Sequence, residues 1–233
     1  MTLSIISLAL AVISAIIIAF DLHKNPQSMR IMNAVWILTA LWSSIVGLIA
    51  YFAFGREKSM QMGEMNRVDM SKEMKMSGSM NMPHRPKWQS ITLSTLHCGA
   101  GCTLADIIGS IFLLFMPITL FGSTLVGGWF VTYILALIIG VYFQFRAISE
   151  MSDLPASDIV RKAIKADFLS LTAWQVGMYG WIYLLMFHFK YLAPHATLTW
   201  DFWFAMQQAM LAGFVLALPI NYALILSGIK RGM

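Results

Sequence analysis

Two cysteines, a histidine and an aspartate share one apolar segment: His97-Cys98-Gly99-Ala100-Gly101-Cys102-Thr103-Leu104-Ala105-Asp106. The chain has no other cysteines. On a helix, the spacing from Cys98 to Cys102 puts both thiols on one face, and Asp106 continues that stripe. His97 lies about 100° round from Cys98 and flanks it. Just upstream, eight of the eighteen methionines fall between Met60 and Met82. Met74-x-Met76 and Met80-x-Met82-Pro83-His84 bring thioethers close, with an imidazole at the end. Thioether and thiolate sulfurs are soft ligands that suit Cu(I) far better than Mg, Ca or Mn. The candidate ligands are therefore His97, Cys98, Cys102, Asp106, Met74, Met76, Met80, Met82 and His84, and the candidate ion is copper.

These residues need elements to position them, and the composition points to a bilayer. The 233 residues are 58% hydrophobic and 12% charged, about half the charge of a soluble domain. A spanning helix needs roughly 20 mostly apolar residues. Six segments approach that: about 2–20, 33–54, 91–115, 128–147, 167–189 and 202–226. The expected fold is all-α, a polytopic integral membrane protein with a bundle of about six transmembrane helices. It forms a single membrane domain, 1–233, with a flexible Met-rich loop at 55–90. The run from Leu3 to Phe20 has no basic residue before it and no cleavage motif after it, so it is expected to stay as an anchor helix. A short amphipathic helix, Ile159 to Ala166, is expected at the interface before helix five. Trp36, Trp42, Trp88, Trp129, Trp181, Trp200 and Trp203 are expected near the membrane boundaries.

Six spans place thirteen Lys and Arg on one side and three (Lys24, Arg30 and Lys190) on the other. The positive-inside rule then puts both termini and the methionine loop in the cytoplasm. The net charge of +5 serves orientation, and no nucleic-acid partner is expected.

An acid at the depth of Asp106 is costly unless it faces the bundle interior with a partner. Small residues between the cysteines also allow close helix packing, so packing alone is an alternative role for that run. Asp167, at the expected start of helix five, reads as an N-terminal cap. Met206 and Met210 share a face and form a candidate second station. Asn221 is expected to satisfy backbone groups freed by Pro219.

The run Thr95 to Asp106 resembles the signature of a bacterial membrane family known as domain of unknown function 4396. Met32-Asn33-Ala34-Val35-Trp36, Arg85-Pro86-Lys87-Trp88, Phe202-Trp203-Phe204-Ala205-Met206-Gln207-Gln208, Pro219, Asn221 and Gly228-Ile229-Lys230 also fit. The resemblance implies a multi-span protein of the bacterial inner membrane and supplies no mechanism. Relatives tend to carry Gly where this chain has Ala105, and a His-rich loop where this one is Met-rich.

From the residues, the expected function is soft-metal binding as a transporter or metal-relay protein, not an enzyme. Its partners would be the lipid bilayer, the ion, and a soluble metal chaperone or export partner. No phosphate-cradling loop is present to drive it with ATP. The alternatives are a membrane redox protein cycling Cys98 and Cys102 between dithiol and disulfide, and a structural or assembly protein.

Overall fold

The computed structural model describes residues 1–56, 86–151, 155–192 and 199–230. The described residues form six α-helices: α1 Thr2–Lys24, α2 Arg30–Ala50, α3 Lys87–Phe115, α4 Thr124–Met151, α5 Ala156–Tyr183 and α6 Trp200–Leu226. Wider π-turns extend α2 over Tyr51–Gly55 and α5 over Leu184–His188. The chain is an all-α, multi-pass membrane protein. All the helical stretches except α5 are long and apolar enough to cross a bilayer. In α5, Asp158, Arg161, Lys162, Lys165 and Asp167 occupy the first half, and Trp, Tyr, Gln and Gly residues dilute the apolar character of the second. No separate interfacial helix forms over 159–166. Neither Gly nor Pro interrupts residues 156–176, so that segment is continuous with α5.

The second helix departs most from expectation. Trp36 meets the rings of Tyr51 and Phe54 at 5.4 and 5.9 Å. Fifteen residues of straight helix would separate Trp36 from Tyr51 by about 22 Å. The chain therefore folds back, and it does so at Ser44, the one non-helical residue inside α2 (φ 51°, ψ −129°). Two glycines let the arms close. Gly47 faces Ser43 and the Ala40 backbone, and Gly55 lies against the Trp36 ring, where a Cβ would come within 2.2 Å. Residues 33–54 are thus a re-entrant helical hairpin and not one span. Its tip is satisfied from within the protein, as a bend at membrane depth must be. The Leu41 carbonyl accepts from Gln207 Nε2 at 2.8 Å, and the Ser43 hydroxyl donates to the Thr39 carbonyl at 2.6 Å. Trp36 and Trp42 are accordingly buried in the core, whereas Trp88 and Trp200 are exposed.

The hairpin changes which chain segments share an end. Asp21 of α1 pairs with Arg56 at 2.9 Å and accepts from the Tyr51 hydroxyl at 2.7 Å. Phe54 packs on Trp88 at the start of α3. The Arg30 amide donates to Glu150 near the end of α4. Lys230, after α6, reaches Ser94 and Asp167. All of these define one end of the bundle. At the other, the Ser4 hydroxyl of α1 donates to Asp201, and Ser7 donates to Gln207 at 2.7 Å. Thr2 and Lys230 therefore lie at opposite ends, which corrects the expectation that both termini share a side. Nine described Lys and Arg residues (24, 30, 56, 87, 146, 161, 162, 165 and 230) belong to the Lys230 end, and Lys190 alone to the other.

Candidate functional site

The interior of the Lys230 end is polar. Asp167 and Lys230 form an ion pair at 2.8 Å with both side chains fully buried. Lys230 Nζ also donates to Cys98 Sγ at 3.0 Å and Asn221 Oδ1 at 3.0 Å, with the Ser94 carbonyl at 3.5 Å. An ammonium has three N–H donors, and here each has an acceptor. Asn221 Nδ2 donates to Ser170 Oγ at 2.6 Å and to the Ala217 carbonyl at 3.0 Å. Ser170 in turn donates to Cys98 Sγ at 3.1 Å, and the Cys98 thiol faces Asp167 Oδ1 at 3.4 Å. The second oxygen, Asp167 Oδ2, is buried with no hydrogen-bond partner among the described residues.

Local sequence explains how a lysine beyond α6 gets inside. Gly228 adopts φ +70°, the left-handed conformation that favours glycine after a helix. The Gly228 amide bonds to the Ile225 carbonyl, and the Ile229 amide bonds to Leu224, each at 3.1 Å. This double bond pattern reverses the chain and directs Lys230 back along the bundle. In the charge tally of the sequence, Lys230 is one of the thirteen residues that orient the protein. Its position two residues past an apolar run ending in Gly was the available clue. Asp167 is likewise not a cap. The continuous α5 places it 11 residues past Ala156, facing the core.

The stripe on α3 faces inward as its spacing implies. Cys98 and Cys102 are fully buried, Asp106 is 3% exposed, and both thiols are free. Asp106 Oδ2 has no hydrogen-bond partner among the described residues. It lines a cavity of about 290 Å³ together with Met178, Met186, Met206, Trp129 and Tyr179. Met206 thus joins Asp106, but Met210 does not. The Met210 thioether is held in the core by Trp174 Nε1 at 3.4 Å. Gln207 serves the hairpin tip and α1 instead of any path from Asp106.

His97 is buried and turned toward α4, meeting the Phe143 ring edge-on at 6.0 Å. The Phe143 backbone is the polar group nearest to hydrogen bonding with the ring. The glycines of the motif serve packing. Trp174 covers Gly99, and Gly101 lies against the Gly140 backbone at 3.1 Å from a Cβ position. Among the described residues, no group of three or more His, Cys, Asp or Glu could hold a metal ion. Met74, Met76, Met80, Met82 and His84 lie outside the described residues.

No curated protein and no solved structure matches the chain. Residues 9–56, covering most of α1 and the hairpin, match the phospholipase D-nuclease N-terminal family model. Residues 87–230, spanning α3 to Lys230, match the model described as domain of unknown function 4396. That second match covers more than half of the chain and takes in Cys98, Cys102, Asp106, Asp167, Asn221 and Lys230. By this match the chain belongs to the family of domain of unknown function 4396.

Proposed function

We propose that the protein binds a soft cation, copper(I), within its membrane bundle and relays it along α3. The observation that carries this reading is the cavity at Asp106. A buried carboxylate with an unpartnered oxygen shares that cavity with the three thioether residues Met178, Met186 and Met206. Hard and soft donors around one space suit a soft cation whose charge needs an anion nearby. Cys102 sits one helical turn from Asp106 and Cys98 one turn further, so the buried stripe leads from the cavity toward the Lys230 end. The Met-rich tract is bracketed by Arg56 and Lys87, both at that end, and would capture the ion there.

The same end carries nine of the ten described basic residues, which supports placing it in the cytoplasm of an inner membrane. The Thr2 end of α1 then faces the other side. A soluble metal donor or acceptor would meet the protein at the cytoplasmic end.

The test is Ag(I) and Cu(I) stoichiometry on reduced, purified protein. Wild type is expected to bind tightly. Cys102→Ser and Asp106→Asn should each lower affinity by at least about tenfold, the scale of losing one good ligand. Deletion of residues 60–82 should slow loading while leaving stoichiometry at the bundle unchanged. Absence of binding in wild type would overturn the proposal.

A further inference from the structure

The surroundings of Lys230 Nζ have the composition of a cation site. A carboxylate oxygen, a sulfur, a side-chain amide oxygen and a backbone carbonyl converge on one point, at 2.8, 3.0, 3.0 and 3.5 Å. The occupant of that point is itself a cation, tethered to α6 through a four-carbon stem. Asp167 Oδ2 adds a buried acceptor that the ammonium leaves unused. The tether starts two residues after Gly228, at a turn made of only a few backbone bonds.

We propose that this cage is an exchangeable cation site and that Lys230 is its resident plug. A soft monovalent cation enters by displacing the ammonium. The inference rests on the soft-cation reading for the identity of the ion. The exchange balances as follows. Before it, the cage holds the Lys230 ammonium, the Asp167 carboxylate and the neutral Cys98 thiol. On exchange, a bond forms between the incoming ion and Cys98 Sγ, and the S–H bond breaks. The thiol proton passes to Asp167, the carboxylate that Cys98 already faces at 3.4 Å. The ammonium leaves with its charge. The cage is neutral before and after, and no bare carboxylate is left buried, which would be strongly disfavoured. Lys230 can then extend to the end of the bundle, its stem along apolar surface and its head in water. Asn221 and the Ser94 carbonyl remain as neutral oxygen donors.

A purely structural staple would hold the same contacts without exchange, and wild-type protein separates the two. The protein in detergent is treated with an amine-acylating reagent, with and without Ag(I), and acylation of each lysine is read by mass spectrometry. Lys162, exposed on α5, is the internal control. Ag(I) is expected to raise Lys230 acylation by at least about tenfold, as for any protected group on opening, and to leave Lys162 unchanged. Lys230→Gln provides the second measurement. It should bind Ag(I) at least about tenfold more tightly than wild type, because no tethered competitor remains, and adding Cys98→Ser should cancel that gain. Flat Lys230 acylation while Ag(I) binds the wild type overturns the exchange and leaves the relay on α3 standing. Binding to Lys230→Gln but not to wild type supports the cage as a site and overturns the relay. Binding to neither overturns both.

Discussion

Lys230 and Asp167 carry most of what distinguishes this interior from ordinary helix packing. Burying two charges is costly, and the pair is tolerated because every ammonium hydrogen has an acceptor. Removing one partner strands the other. Lys230→Met should therefore destabilise the protein by about 3–5 kcal/mol. The double variant Lys230→Met/Asp167→Leu, with no stranded charge, should recover most of that loss. Denaturant unfolding in mixed micelles measures both. If the single variant is as stable as wild type, the pair does not hold the bundle together. The glycines of the motif make a separate prediction. A Cβ at Gly99 would lie 2.2 Å from the Trp174 ring. Gly99→Ala should then cost about 1–3 kcal/mol by overpacking, read in the same assay. An equal or higher stability would mean that Trp174 has room to move. Cys98 and Cys102 were legible from their spacing, because a helix carries residues four apart on one face. The partners of Cys98 were not, since Asp167, Asn221 and Lys230 come from two other helices or their ends.

The re-entrant α2 shows where hydropathy stops being informative. Both arms are apolar, so residues 30–55 read as one span by length and composition. Hydropathy reports that a segment avoids water, not whether it turns inside the bundle. The turn depends on Ser44, on Gly47 and Gly55 closing on the first arm, and on Gln207 reaching the Leu41 carbonyl. Single cysteines placed at Lys24, Arg56 and Lys190 in a background without Cys98 and Cys102 test this directly. A membrane-impermeant maleimide should label Lys24→Cys and Arg56→Cys from one side and Lys190→Cys from the other. Labelling of positions 24 and 56 from opposite sides would mean that α2 crosses the bilayer. Gly228→Val makes a prediction for the end of α6. A β-branched residue at φ +70° is strained by roughly 1–3 kcal/mol, and the loss should include weaker seating of Lys230. Gly228→Asn should be milder, because Asn tolerates that conformation.

Across the bundle, the hairpin and the charge pattern agree. With six spans, Lys24 and Arg30 fall on the sparsely charged side. With the hairpin, both move to the basic end, and among described residues the division becomes nine against one. The asymmetry that orients a membrane protein is sharper in the observed topology than in the one read from hydropathy. The arrangement also separates two polar interiors along α3. The cage of Cys98, Asp167, Asn221 and Lys230 lies toward the basic end, and the cavity with Asp106 lies toward Phe202. Cys102 stands between them on the same helical face. A variant that blocks this midpoint, Cys102→Leu, should leave the Ag(I)-dependent acylation of Lys230 intact and should prevent Ag(I) bound at one station from equilibrating with the other. Exchange kinetics with a competing thiol measure that. Unchanged kinetics would mean that the stations load independently.

Local chemistry settled the helical class, the buried stripe of α3 and the approximate limits of most helices. Hydrophobic runs and side-chain periodicity act within one segment and are visible in it. The continuity of α5, the fold-back at Ser44 and the opposite placement of Thr2 and Lys230 required contacts between segments distant in the chain. So did the burial of Lys230, since Asp167 and Cys98 stand 63 and 132 residues from it. A charged side chain enters an apolar interior only when partners wait there, and linear order does not reveal which residues those are.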